Sequence, residues 1–231
     1  MRVGSMTDKG RIREQNEDAY GFRENIFVVA DGMGGHQAGE IASAIAVETI
    51  LAANFTTAIE TELYQAIQKA NDSILAAVDQ HPELDGMGTT VAVLVVRMAM
   101  VYLAHVGDSR IYHYSKQRLV QLTQDHSLVA ELVKNGEISA SEAKHHPQRN
   151  ILTQALGSKG EIRSEFQTIA CSLGDKFLIC SDGLSGIVDE ATIAAVLQLD
   201  QEPQLLAEKL VNLANEQGGN DNITVIIVEI D

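Results

Sequence analysis

Several acidic residues of this chain stand where an apolar run stops. Phe27-Val28-Val29-Ala30 runs into Asp31-Gly32, residues 101–106 run into Gly107-Asp108-Ser109, and Phe177-Leu178-Ile179-Cys180 runs into Ser181-Asp182-Gly183. Another, Asp221, sits in Gly218-Gly219-Asn220-Asp221-Asn222, just ahead of a closing run of Ile and Val. Such runs read as strands, and a glycine or small polar neighbour lets the backbone turn sharply or approach a ligand. Singly, Asp-Gly and Asn-Asp are ordinary turn formers. Gathered at one sheet edge they need protons or cations, because two carboxylates about 4 Å apart repel by ~4 kcal/mol at an effective dielectric of 20. With no His or Cys among them the donors are all oxygen, which suits Mg²⁺ or Mn²⁺ over zinc or copper. Two such ions side by side would acidify a water enough to attack phosphorus while neutralising a phosphate's charge.

A second constellation lies near the N-terminus, where Arg13 precedes the pair Glu17-Asp18 by four residues. Arginine's planar fork suits bidentate capture of phosphate, and a neighbouring acid pair can hold metal-bound waters. Alone, this is an ordinary charged strand or turn.

The elements that must position these groups alternate in blocks. Residues 3–6, 26–30, 90–96, 98–106, 176–180 and 223–230 read as strands, with 90–96 and 98–106 forming a hairpin. Helical 3.6-residue rhythm runs through 41–53, 63–78, 128–135, 189–199 and 203–216, and a short turn begins at 139–143. Strand pairs and helix pairs arrive in groups and not as a strict βαβα series, so an α+β layered fold is expected over a doubly wound one. No Pro-, Ser- or Gly-rich linker and no repeat interrupts residues 1–231, which read as a single domain.

Composition narrows the function. The chain has 231 residues, 17 Lys+Arg against 32 Asp+Glu for a net charge of −15, and 45% hydrophobic residues. At this length roughly 70% of the unfolded surface can be buried, enough for a core without disulfides or structural zinc. The acidic excess and the lack of any basic run argue against nucleic acid and anionic membrane as partners. Cys171 and Cys180 lack CxxC spacing and read as small core residues. Neither a signal core nor an apolar window long enough to span a membrane is present, so a cytoplasmic protein is expected.

The ordered set RxxNED, DGMGGH, GTT, GDSR, SDG and GGNDNIT, spanning residues 7 to 224, resembles the metal-dependent PP2C (PPM) protein serine/threonine phosphatases in their compact bacterial form. The resemblance implies a central β-sandwich of two antiparallel sheets flanked by helix pairs, with a dinuclear Mn²⁺ or Mg²⁺ centre at one end. It implies that Asp31 bridges both ions, that the Gly32 carbonyl ligates one, and that Asp182 and Asp221 ligate the other. Glu17 and Asp18 match the pair that meets the second ion directly or through water, and Arg13 matches the phosphate-binding arginine. Asp108 matches the acid that, with Asp182, holds a third, weaker ion. The implied reaction is direct attack by a bridging water or hydroxide on phosphoserine or phosphothreonine, with no phosphoenzyme, by a monomer that opposes a bacterial serine/threonine kinase on phosphorylated proteins. Many eukaryotic relatives carry His directly after the Asp-Gly pair, where this chain has Met33. The general acid is then His36, three residues on, or a metal-bound water. The resemblance also places residues 132–156 in a flap beside the active site.

Competing readings are weaker. Gly107-Asp108-Ser109 looks like the start of a GDS-type esterase motif, but it lies far from the chain's beginning and no GxSxG elbow accompanies it. A metal-free scaffold of the same family is disfavoured because every expected carboxylate is present, and the Asp31–Gly35 loop lacks the spacing of a nucleotide-binding loop. Asp125-His126-Ser127 and the stretch from His145 to Asn150 have metal-like composition, but their spacing suits no closed zinc site, so they read as solvated loop.

Overall fold

The computed structural model describes residues 1–34 and 38–231. Two antiparallel sheets face each other. One has the order β1 (Arg2–Asp8), β11 (Ile223–Glu229), β10 (Lys176–Cys180), β7 (Arg110–Ser115), β8 (Arg118–Gln121). The other runs β2 (Asp18–Arg23), β3 (Ile26–Met33), β5 (Val91–Arg97), β6 (Met100–Val106), β9 (Glu165–Ala170), with the short β4 (Gly88–Thr89) paired to β3. Helices α1 (Ala38–Leu51) and α2 (Ile59–Gln80) cover the β3 sheet; α6 (Glu190–Leu197) and α7 (Pro203–Glu216) cover the β11 sheet. The expected α+β sandwich with flanking helix pairs is what forms.

The central strands are apolar at nearly every position because both of their faces are buried. In β3, Phe27 and Val29 point to the opposing sheet while Ile26, Val28 and Ala30 meet α1 and α2. In β10 and β11, Phe177, Ile179, Ile226 and Val228 face inward, while Leu178, Cys180, Val225 and Ile227 meet α6 and α7. Each such side chain contributes roughly 1.5–3 kcal/mol on burial. Helix α1 carries Ala38, Ala42 and Ala46 on its buried side, and these small side chains let its axis sit close on β3. Cys171 and Cys180 are buried free thiols, as expected, and burial pushes the Cys180 thiol up to about 12, leaving it a packing residue.

Several elements differ from the sequence expectation. Helix α1 starts at Ala38, three residues before its expected start. The hairpin turns at Met98, which is 92% exposed with φ 56°, so Met98 belongs to the turn and not to β6. Strands β2, β4, β7, β8 and β9 were not expected; β2, β8 and β9 lie at sheet edges, half-buried, with too few apolar residues to form a run. A one-turn helix α5 (Asp182–Ser185) follows β10 directly. No helix among the described residues is long and apolar enough to cross a membrane.

Candidate functional site

The predicted acids converge at one end of the sandwich, on a cleft of about 600 Å³ lined by Arg13, Glu17, Asp31, Gly32, Asp108, Asp182 and Asp221. They come from both sheets. Asp31 lies in β3, Asp108 in the turn that crosses from β6 in one sheet to β7 in the other, Asp182 after β10, and Asp221 before β11. Asp31 is not past the end of its strand, as the apolar run suggested, because β3 continues to Met33 by pairing Gly32 with Thr89. Asp18 does not line the cleft. It stands directly across β2–β3 from Asp31 in the register, so the two carboxylates share a face. His36 lies outside the described residues.

Two glycines set the backbone here. A Cβ on Gly32 would run into the carbonyls of Gly39 and Glu17, so only glycine lets α1, β3 and the Glu17 segment approach this closely. Gly107 has φ 102°, which a side chain would strain, and it delivers Asp108 to the cleft.

Electrostatics follow from this crowding. Burial, then the charges of Asp18, Asp182, Asp108 and Asp221, hold the Asp31 carboxyl well above its ordinary value. Burial, then neighbouring acids, likewise raises Asp18 to about 7, Asp108 to about 8 and Asp182 to about 6, although hydrogen bonds partly offset the rise in Asp18 and Asp182. Glu17 is raised by burial, against the pull of Arg13. The only cation lining the acidic end close enough to pair is Arg13, among the described residues, whose Nη2 donates to Asp221 Oδ2 at 2.8 Å. Asp18 Oδ1 and Asp182 Oδ1 are buried with no hydrogen-bond partner. Unpartnered buried carboxylate oxygens among all-oxygen donors fit a hard divalent cation such as Mn²⁺ or Mg²⁺.

The residues that hold the acids in place were visible only as parts of motifs. Asn222 accepts from the Glu17 amide (2.8 Å) and donates to the carbonyls of Lys9 (3.0 Å) and Gln15 (2.8 Å), which lays the Arg13–Asp18 segment against Asp221. The Ser181 hydroxyl donates to Asp18 Oδ2 at 2.7 Å. Thr90 Oγ1 accepts from the Asp31 amide at 2.9 Å and shares a 2.7 Å bond with Ser109 Oγ. That bond commits Ser109, which is buried, to a structural partner and removes the esterase reading its support. An amide or hydroxyl of this kind carries no chemical signature in a sequence; only the spatial neighbour reveals it.

The flap expectation shifts along the chain. Asn150 and residues 152–155 line the cleft, and the lining continues through 158–162, beyond the expected end at 156, whereas 132–149 contribute none of the lining side chains. The His145–Asn150 stretch is mostly exposed, as expected. Asp125-His126-Ser127 is not solvated loop. Asp125 takes a bidentate fork from Arg110 (2.9 and 2.7 Å), His126 bonds Gly107, and Ser127 caps helix α3 (Leu128–Lys134).

Comparison with known proteins agrees with this fold. The sequence profile described as Protein phosphatase 2C matches residues 11–223. The serine/threonine phosphatase stp of Listeria monocytogenes is 43% identical over 243 residues, covering 100% of this chain and 96% of that protein. The crystal structure of the Mycobacterium tuberculosis serine/threonine phosphatase PstP/Ppp superposes with a TM-score of 0.95 at 35% identity, covering 100% and 98% of the two chains. The catalytic domain of PstP in complex with two manganese ions gives 0.92 at 34% identity, with the same coverage. A two-sheet sandwich with flanking helices is the architecture shared with these phosphatases. The chain belongs to the protein phosphatase 2C family of metal-dependent serine/threonine phosphatases.

Proposed function

We propose that residues 1–231 act as one catalytic domain that hydrolyses phosphoserine and phosphothreonine in proteins by direct attack of water on phosphorus, with no phosphoenzyme. The observation that carries this reading is the convergence of Glu17, Asp31, Asp108, Asp182 and Asp221 with Arg13 on one cleft, with Asp18 across β2–β3 from Asp31. Asp31, the Gly32 carbonyl, Asp182 and Asp221 would hold two Mn²⁺ or Mg²⁺ ions, with Glu17 and Asp18 in support. Asp108 with Asp182 would hold a third, weaker ion. When bound, the ions lower the pKa of the attacking water and neutralise the phosphate charge.

The chain's own residues do the rest. Arg13 is half-exposed and bonded here to Asp221, so its planar fork can exchange that carboxylate for a phosphate's oxygens. The Asp31 backbone is clamped by Thr89 and Thr90, which holds its carboxylate on the cleft lining. The leaving alkoxide takes its proton from His36 or from water. The cleft offers neither Cys nor His among its described lining residues, in keeping with a water nucleophile. Phosphoserine and phosphothreonine are products of kinase chemistry, so the partner is a phosphoprotein made by a serine/threonine kinase. The assay is turnover of p-nitrophenyl phosphate and a phosphothreonine peptide with and without Mn²⁺, in the wild type and in Arg13→Ala. Turnover that requires Mn²⁺ is expected, with kcat/KM for Arg13→Ala lower by roughly tenfold or more. Metal-independent turnover, or none with any metal, overturns the reading.

A further inference from the structure

Three side chains far apart in sequence meet beside the Gly107–Asp108 turn, and none of them lines the acidic cleft. The β6–β9 register sets His105 directly across from Glu165. His126, from the segment after β8, stacks its ring on His105 at 4.7 Å between centroids and 27° between planes. Its Nε2 lies 3.6 Å from Glu165 Oε1. One ligand atom from each of the three falls within 4.8 Å of the others.

The hydrogen bonds say which ring atoms are free. His105 is 1% exposed and its Nε2 bonds the Gln124 carbonyl at 2.8 Å. A carbonyl only accepts, so Nε2 carries the proton and Nδ1 presents a lone pair. That Nδ1 is buried with no hydrogen-bond partner. An imidazole whose N–H is held by a backbone carbonyl while its other nitrogen faces nothing has the arrangement of a metal ligand with its outer support already in place. Burial keeps the ring neutral, as a ligand must be.

We propose that His105, His126 and Glu165 form a transition-metal site, separate from the acidic cleft, that takes an ion of the Zn²⁺ or Co²⁺ class and restrains the phosphatase when filled. Two imidazole nitrogens and one carboxylate suit a borderline ion and leave a position for water, whereas the all-oxygen cleft suits Mn²⁺ or Mg²⁺. The restraint arises through His126. Its amide donates to the Gly107 carbonyl at 2.9 Å, and the Gly107 amide donates to its Nδ1 at 3.2 Å, so the ring proton sits on Nε2, toward Glu165. Ligation through Nε2 moves that proton to Nδ1, and the ring stays neutral. Nδ1 then no longer accepts from Gly107, and the turn that presents Asp108 loses one of its two clasps. The site itself is independent of the phosphatase reading; the restraint rests on it.

The test adds Co²⁺ to the Mn²⁺-loaded protein and follows visible absorption, with Zn²⁺ inhibition of p-nitrophenyl phosphate turnover measured alongside. The wild type is compared with Glu165→Gln, at a half-exposed position, and His105→Phe, which keeps a ring against His126. Four-coordinate Co²⁺ with nitrogen ligands absorbs strongly, and six oxygens give only weak bands. One equivalent of strong absorption is expected in the wild type, with affinity at least tenfold weaker in both variants. The half-inhibitory Zn²⁺ concentration is expected to rise at least threefold in Glu165→Gln. Equal absorption in all three proteins, or none in the wild type, overturns the site. Equal Zn²⁺ inhibition overturns the restraint. If no protein turns over substrate, the absorption measurement still decides the site.

Discussion

Two sets of acids in this molecule are treated in opposite ways. Asp125 is met by the bidentate fork of Arg110, which also donates to the Tyr112 hydroxyl at 3.0 Å. Asp175 is met by His113 at 3.0 Å and by the Ser172 amide at 2.9 Å, and its carboxyl stays below the ordinary value even against burial. In and beside the cleft, Asp31, Asp108, Asp182 and Asp18 have no cation bonded to them among the described residues, and all four are raised. The chain thus neutralises interior acids with its own groups where they serve the fold. Where it does not, the positive charge must come from a ligand.

The sharpest way to break this contrast is to remove one cleft acid. Asp31→Asn is expected to lower Mn²⁺-dependent turnover by on the order of 10³-fold. It should also stabilise the metal-free protein, by about 2 kcal/mol in urea unfolding, because it relieves repulsion among buried like charges. Lower stability in that variant would show that the cleft is not strained by charge. Arg110→Met tests the compensated region. Removing the partner of a mostly buried acid should destabilise the protein by about 2–3 kcal/mol, with Mn²⁺ unable to recover the loss.

The pH dependence sharpens the comparison further. Acids whose folded pKa exceeds the unfolded value bind more protons in the folded state, so their contribution to stability falls as pH rises through that interval. For Asp18, Asp182 and Asp108 the window runs from the ordinary 3.8 to about 7, about 6 and about 8. Metal-free protein should therefore lose stability between about pH 4 and pH 8, and the Tm increment given by Mn²⁺ should grow over the same range. A constant increment across that range would contradict the assignment. The smallest effect is expected from Ser109→Ala, which leaves the Thr90 hydroxyl short of a partner at a cost of ~1 kcal/mol. Turnover should change by no more than a few-fold; its abolition would restore the esterase reading.

The acids themselves were legible in the sequence because their chemistry is local. An aspartate that ends an apolar run beside glycine announces both the strand and the turn, and Asp31, Asp108, Asp182 and Asp221 all reached the cleft. The sandwich core was legible for the same reason, since a strand buried on both faces must be apolar at nearly every position. Edge strands β2, β8 and β9 were not, because a half-buried strand of four to six residues spends its few apolar side chains on one face.

The sequence by itself determined the all-oxygen donor set that the cleft offers, because residue type fixes donor chemistry. Only the tertiary structure decided which acids lack a counter-charge. Asp125 and Asp108 look alike as turn aspartates, and it is the fold that brings Arg110 to one and further carboxylates to the other. The structure alone also joined His126 to His105 and Glu165: sheet register sets His105 across from Glu165, and the segment after β8 brings His126 to them.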